Sequence, residues 1–338
     1  MSSVTLPPAE WQSLAERVLV AAGTAPKAAR SVAAALVAAD RDGLASHGLS
    51  RLPAYAAQVR CGKVAGTAQP GVRRPAPGII AVDAADGFAY PAIEAGLQAA
   101  QEAVHSQGCV LVAVTNSHHC GVLGHHVEWL AERGLVALAF ANTPAAIAPW
   151  GGSKPVLGTD PLAFACPRDG HPPLVIDMSV SVAARGKIMV AARDGTPIPP
   201  DWALDSEGRP TTDAKAAMEG TLAPMAGAKG AALGLMIELL TAALVDAHFG
   251  FEASPFLDDK GGPPRTGQLF LVIDPQSVGG SGFAARAERL FTACLEQPGV
   301  RLPGDRRQEI RAATAEGITV PRKLHDELVA AADQLHAS

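Results

Sequence analysis

Six consecutive apolar residues, Cys109-Val-Leu-Val-Ala-Val114, constrain this chain more than any other stretch. A strand without polar alternation has both faces covered, so it demands a sheet with further layers packed against it. The neighbouring sequence supplies them. Residues 91–105 carry apolar side chains at helical spacing, and Ile79-Ile-Ala-Val-Asp83 reads as a second strand. Downstream, 127–133 reads as helix, 135–141 as strand, and further strands are expected at 174–177 and 269–274. The fold class this predicts is mixed α/β.

The chain ends differ from that core. Helical spacing runs through 9–22, 26–46 and 51–61, so the first seventy residues read as all-helical, and proline and glycine punctuate 66–78. From Gly282 onward the pattern is helical again, interrupted by Arg301-Leu-Pro-Gly-Asp-Arg-Arg307. The expected organisation is a helical domain of residues 1–75 completed by 283–338, beside an α/β core of 76–282.

A net charge of -5 with no basic stretch argues against nucleic acid or an anionic membrane as the main partner. No basic segment followed by an apolar run is visible near Met1, and the most apolar stretch, 230–247, is interrupted by Glu238 and Asp246. It reads as a buried helix rather than a membrane span, and a cytoplasmic protein is expected. Five cysteines without any Cys-x-x-Cys spacing read as reduced thiols.

Chemistry concentrates first around Asp42, Ser46, His47 and Arg51. On a continuous helix the pairs 42/46 and 47/51 would lie one turn apart. Arginine grips a carboxylate with a planar fork, histidine moves protons near neutral pH, and a serine hydroxyl orients the imidazole. The set suits a small carboxylic acid whose neighbouring carbon exchanges a proton; the bland alternative is a helix end capped by Gly48. The second stretch, Asn116-Ser-His-His-Cys-Gly-Val-Leu-Gly-His-His126, packs four histidines into nine residues directly after a strand. Adjacent histidines on an extended chain diverge, and only Glu128 sits at ligand spacing, so a polar ligand at the strand's carboxyl end is preferred to a metal. No Gly-x-Gly-x-x-Gly occurs, which excludes the usual Rossmann fingerprint. Gly158-Thr-Asp-Pro161, the segment Asp177-Met-Ser-Val-Ser181 and Lys229 before a helix complete the polar set.

Taken in order, Ser46-His47-Gly48 with Arg51, Ser117-x-His119-x-Gly121, Gly158-Thr159-x-Pro161, Asp177-Met-Ser-x-Ser181 with Gly186-Lys187, Thr211-Thr212-Asp213, Lys229-Gly230 and Pro303-Gly304-x-Arg306-Arg307 resemble the non-Rossmann malate/L-lactate dehydrogenase family over nearly the whole chain. The resemblance implies a homodimeric oxidoreductase using NADPH, with NADH possible, in a non-Rossmann sheet core with a helical domain built from both chain ends. It implies Ser46 and His47 as catalytic residues and Arg51 and Thr159 as substrate contacts. Cofactor contacts would come from His119, Cys120, Gly121, Asp177, Met178, Ser179, Lys229, Arg301, Gly304, Arg306 and Arg307, with no metal. Ser117-His118-His119 looks like the cyclic-imine branch, where hydroxy-acid members carry Ser-Asn-His. The expected substrate is therefore delta-1-pyrroline- or delta-1-piperideine-2-carboxylate, reduced to L-proline or L-pipecolate. The rivals are a 2-hydroxy acid such as sulfolactate, malate or lactate and, more remotely, a metal-dependent hydrolase. Asp160 stands where most members have asparagine.

Overall fold

The computed structural model describes residues 2–333, so 334–338 of the expected carboxy-terminal segment lie outside the described residues. The chain begins with β1 (Ser3–Leu6), α1 (Pro8–Ala21), α2 (Pro26–Arg41) and α3 (Leu52–Arg60). The central part follows as β2 (Gly71–Ala76), β3 (Ile79–Asp83), α4 (Ala89–Gln107), β4 (Cys109–Ser117), α5 (Leu123–Ala131), β5 (Val136–Ala141), β6 (Leu162–Cys166) and β7 (Leu174–Met178). A smaller block holds α6 (Arg185–Asp194), β8 (Ala203–Leu204), α7 (Ala214–Glu219), β9 (Thr221–Leu222) and α8 (Ala228–Glu238). The chain then returns through β10 (Thr266–Ile273), α9 (Pro275–Gly279), α10 (Phe283–Leu295), α11 (Asp305–Ala313), β11 (Ile318–Pro321) and α12 (Arg322–Asp333).

Seven strands form one mixed sheet in the order β2-β3-β4-β10-β5-β6-β7. Only β3 and β4 run parallel; the other neighbours are antiparallel. The apolar run that anchors the sequence is β4, and its burial alternates: Val110, Val112 and Val114 are fully buried, while Leu111 and Ala113 are only partly covered. The expectation of two equally covered faces is therefore corrected. Helices α4 and α5 seal one face through Ile93, Leu97, Val127 and Leu130. On the other face Phe291 and Leu302 cover Val136, Cys166 and Leu174. Residues 283–302 thus pack on the sheet rather than on the amino-terminal helices.

Helices α1, α2 and α3 enclose a second core with Ile318, Val320 and Leu328 from the other end of the chain. Here the all-helical expectation fails. β1 pairs antiparallel with β11, Ser3 opposite Pro321, and Trp11 Nε1 donates to the Ile318 carbonyl at 2.9 Å. Two four-residue strands at opposite ends carry no local signal, because each exists only through its partner. The punctuated 66–78 segment likewise contains β2, an exposed edge strand.

Helix α2 stops at Arg41, not near Ser46. Gly43 takes φ +73°, with Gly43 N donating to Asp40 O and Leu44 N to Ala39 O, the paired bonds of a glycine-terminated helix. Gly48, the capping candidate in the sequence, has φ -94° and caps nothing in this way. The 230–247 stretch is α8 followed by a π-helical turn, Leu239–Ala243. It packs through Gly230, Ala231, Gly234 and Ile237 and leaves Leu235, Leu239 and Leu244 more than half exposed, so it is not the fully buried helix expected. No helix among the described residues is long and apolar enough to cross a membrane.

Candidate active site

Between α2 and α3 the chain forms two short 3-10 turns, Ala45–His47 and Leu49–Arg51. Asp40 pins this loop by accepting from Leu49 N at 2.7 Å, and its carboxylate occupies the space a Cβ at position 48 would need. Glycine is required there by close approach. Within the loop Ser46 Oγ lies 3.1 Å from His47 Nδ1, and Arg51 Nε donates to the Ser46 carbonyl at 2.6 Å. Ser46, His47 and Arg51 are therefore brought together, although by 3-10 turns rather than a helix face. Asp42 points elsewhere. Burial, with the Arg51 cation second, lowers the His47 pKa to about 4, so this imidazole is a free base at neutral pH.

The turn after β4 meets this loop. The His119 ring stacks on His47 at 5.5 Å with 26° between planes, and His119 Nδ1 shares a 2.6 Å hydrogen bond with the Tyr55 hydroxyl, which lies 3.3 Å from that of Tyr90. Burial keeps His119 neutral. Gly121 has φ +70° and lies so near the Tyr90 hydroxyl that a side chain there would collide with it. The Cys120 thiol is pushed by burial up to about 12 and is inert packing. The expected divergence of His118 and His119 does not occur: both rings contact Tyr55 and Phe256, because residues 118–122 are irregular rather than extended. His118 is enclosed with neither ring nitrogen hydrogen-bonded among the described residues, and burial lowers its pKa to about 3.

The other two histidines go separate ways. His126 Nε2 meets the Cys120 carbonyl at 3.0 Å, and His125 Nε2 lies 2.7 Å from Asp42 Oδ2. Asp42, His125 and Glu128 have metal-like spacing, their ligand atoms within 4.8 Å of one another. Arg311 already binds both carboxylates, at 2.7 Å to Asp42 Oδ1 and 2.9 Å to Glu128 Oε1, and Arg307 stands 3.5 and 3.4 Å away from the same pair. Two arginines match two carboxylates, leaving no charge to attract a metal ion.

A chain of backbone contacts carries the site onward. Gly124 N donates to Asp177 Oδ2 at 2.8 Å; Val180 N bonds the Thr159 carbonyl at 2.9 Å, and Met225 N bonds the Val180 carbonyl at 2.8 Å. Thr159, 177–181 and the approach to α8 thus form one neighbourhood. Thr159 N and Oγ1 lie 2.8 and 3.1 Å from Thr143 Oγ1, while Ser179 Oγ lies 2.9 Å from Ser181 Oγ. Met178 is 41% exposed, and Lys229 is exposed in the first turn of α8. Lys229, Arg301 and Arg306 make no ion pair among the described residues, whereas Arg307 is held by Asp42 and Glu128. Gly304, at φ +96°, lies against the Val175 backbone at the start of α11. Unpaired cations, a lysine at a helix start and a glycine turn that admits close approach fit a phosphate-bearing dinucleotide.

The malate/L-lactate dehydrogenase family model matches residues 6–329. The chain belongs to that family. Within it, the chain is 52% identical to (2R)-3-sulfolactate dehydrogenase (NADP(+)) of Chromohalobacter salexigens, covering 94% of this chain and 95% of that one. It is 42% identical to the Delta(1)-pyrroline-2-carboxylate/Delta(1)-piperideine-2-carboxylate reductase of Pseudomonas aeruginosa, over 95% and 97%. The crystal structure of delta1-piperideine-2-carboxylate reductase from Pseudomonas syringae superposes with a TM-score of 0.92 at 37% identity, covering 97% of this chain and 99% of that one. This malate/L-lactate dehydrogenase family member is therefore an oxidoreductase that uses NAD(P), on a mixed α/β fold.

Several residues that build the site escape sequence reading. Tyr55, Tyr90 and Phe256 shape the histidine pocket, and Asp40 holds the loop that carries Ser46, His47 and Arg51. Only Tyr55 left a trace, one helical turn beyond Arg51.

Proposed function

We propose that this enzyme interconverts a small 2-hydroxy carboxylate and its 2-oxo acid with NADP(H), with 3-sulfolactate and sulfopyruvate as the pair. The observation that carries the reaction class is His47: a free-base imidazole, tethered to Ser46, with an Arg51 guanidinium that makes no ion pair among the described residues. The 52% identity to a sulfolactate dehydrogenase supports the substrate and the NADP(H) preference. Arg51 would hold the carboxylate, and Thr159 would lie on the substrate side. In oxidation His47 takes the hydroxyl proton as the C2–H bond breaks and C2=O forms. The nicotinamide supplies the hydride acceptor. His119, stacked on His47 and itself neutral, keeps the imidazole oriented without competing for the proton.

A second reading, reduction of a cyclic 2-imino carboxylate, is favoured by reductases at 38–42% identity and by the aromatic enclosure of His118 in the Ser117-His118-His119 turn. An iminium arrives protonated, so His47 would then control charge rather than donate. NADPH oxidation measured against sulfopyruvate, oxaloacetate, pyruvate and the two cyclic imines separates the readings by kcat/KM. Dominance of an imine would overturn the sulfolactate assignment, and no turnover with any of them would remove both.

The exposed leucines of α8 and its π turn support a homodimer. Five free thiols and a pyridine nucleotide supplied inside the cell support a cytoplasmic location.

A further inference from the structure

Beside Thr159 the core encloses two carboxyl groups. Asp160 is 0% exposed, sits at φ +35°, and neither of its carboxyl oxygens has a hydrogen-bond partner among the described residues. Glu238, 3% exposed, is served generously: it accepts from Asn142 Nδ2 at 3.1 Å, Gly158 N at 3.3 Å and Gly250 N at 3.1 Å. The two acids flank one point in the chain. A Cβ at Gly158 would strike the Asp160 carboxyl together with the Thr143 carbonyl and hydroxyl, and a Cβ at Gly250 would strike Glu238 Oε1 and the same Thr143 carbonyl. Neither acid has an ion-pair partner among the described residues. Asp160 faces Glu238 from α8 and the backbone of Thr143 and Gly158; Glu238 faces Asn142, Gly158, Gly250 and, from the 249–252 turn, Glu252.

Two buried acids without a cation cannot both ionise, and the donor supply decides which one does. Glu238 accepts three hydrogen bonds that support a negative charge; at Asp160 the backbone N–H groups of Thr143, Gly158 and Asp160 itself bear on the carboxyl, but none closes a hydrogen bond. We propose that Asp160 and Glu238 share one proton at neutral pH, resident on Asp160, and that this neutral acid positions the Thr143–Thr159 hydroxyl pair against the substrate. The positioning half rests on the assignment of Thr159 to the substrate side. A protonated carboxyl gives the Thr143 carbonyl, which lies beside both acids, a donor that an ionised Asp160 would deny it. Burial and the Glu238 charge push the Asp160 pKa well above its ordinary value, in the same sense as the geometry.

The test uses the full-length enzyme and D160N, where asparagine reproduces the neutral acid in shape. Infrared difference spectra of wild type against D160N at neutral pH should contain a protonated-carboxyl carbonyl band that vanishes in the variant. Its absence overturns the shared proton. In wild type kcat/KM should fall about tenfold per pH unit once the pair loses its proton, and in D160N that alkaline loss should disappear. Parallel profiles overturn the positioning role. The D160N-minus-wild-type difference in Tm should widen as pH rises above about 4, because a raised folded-state pKa gives stability that is complete at low pH and drains away as pH climbs. E238Q serves as the second variant: with the neighbouring charge gone, the Asp160 band should persist at neutral pH and titrate at a lower pH than in wild type, and an unshifted titration counts against the pair. If the band behaves as expected while no 2-oxo or 2-imino acid is turned over, the functional assignment fails and the shared proton stands.

Discussion

The base role proposed for His47 suits a loop that half-buries the imidazole without giving it an anion. Nearby charges push the same way, Arg51 foremost, and Asp42, the nearest candidate counter-ion in sequence, is turned toward His125 and Arg311. Replacing Arg51 by methionine should raise KM by roughly a hundredfold, about 3 kcal/mol of lost charge-assisted binding, with thermal stability nearly unchanged; an unaltered KM would remove the clamp role. The histidines with lowered pKa set the acid limit of the fold. His47 and His126 are held at about 4 and His118 at about 3, each chiefly by burial, so each is neutral in the folded state at a pH where the unfolded chain already binds its proton. A lowered folded-state pKa gives stability that is present above about 6.5 and lost as pH falls, at about 1.4 kcal/mol per pH unit for each histidine. Wild type should therefore unfold at steadily lower temperature from pH 6.5 down to pH 4. H118F, which replaces an unpartnered ring among Tyr55, Phe88 and Phe256, should make that decline shallower. An identical slope in the variant would mean that His118 is charged in the fold.

Among elements, α11 is held to α2 and α5 by charge rather than by apolar burial. It buries no residue fully, yet Arg311 donates to Asp42 and Glu128 through four bonds of 2.7–2.9 Å. Burial works to raise the Asp42 carboxyl, but the bonds from Arg311 and His125 outweigh it and hold its pKa at about 2. Arg311→Met leaves two buried carboxylates facing each other and should cost about 3 kcal/mol, read as a drop of several degrees in Tm. A neutral result would mean that Arg307 suffices. The network also borders the histidine turn through Gly124 and Asp177, so affinity for NADPH should weaken in the same variant. None of this is legible locally, because Asp42 and Arg311 are 269 residues apart. In sequence Asp42 grouped with Ser46 by helical spacing, and only Gly43 at φ +73° ends that helix and sends the two apart.

For the whole molecule, the proposed dimer would form through the unburied side of α8. Leu235, Leu239 and Leu244 stand 53–60% exposed on one short stretch while small residues face inward. An apolar row of this kind is characteristic of an interface between subunits. Sedimentation of the wild-type protein should give a dimer, and L239E should shift it toward monomer at micromolar concentration; a monomeric wild type would remove that assignment.

The sequence by itself determined the mixed α/β class, most of the sheet strands, the grouping of Ser46, His47 and Arg51, and the family, because each of these rests on patterns short enough to be complete within one segment. An apolar run, a glycine turn and a motif need no distant partner to be legible. Tertiary structure alone decided the β1–β11 pairing that joins the chain ends, the convergence of His118 and His119 on one aromatic pocket, the withdrawal of Arg307 into a carboxylate network, and the meeting of Asp160 with Glu238. In each case the deciding contact links residues far apart in the chain or depends on an irregular backbone, and the energetics of burial and charge pairing act on distances that no spacing in the sequence encodes.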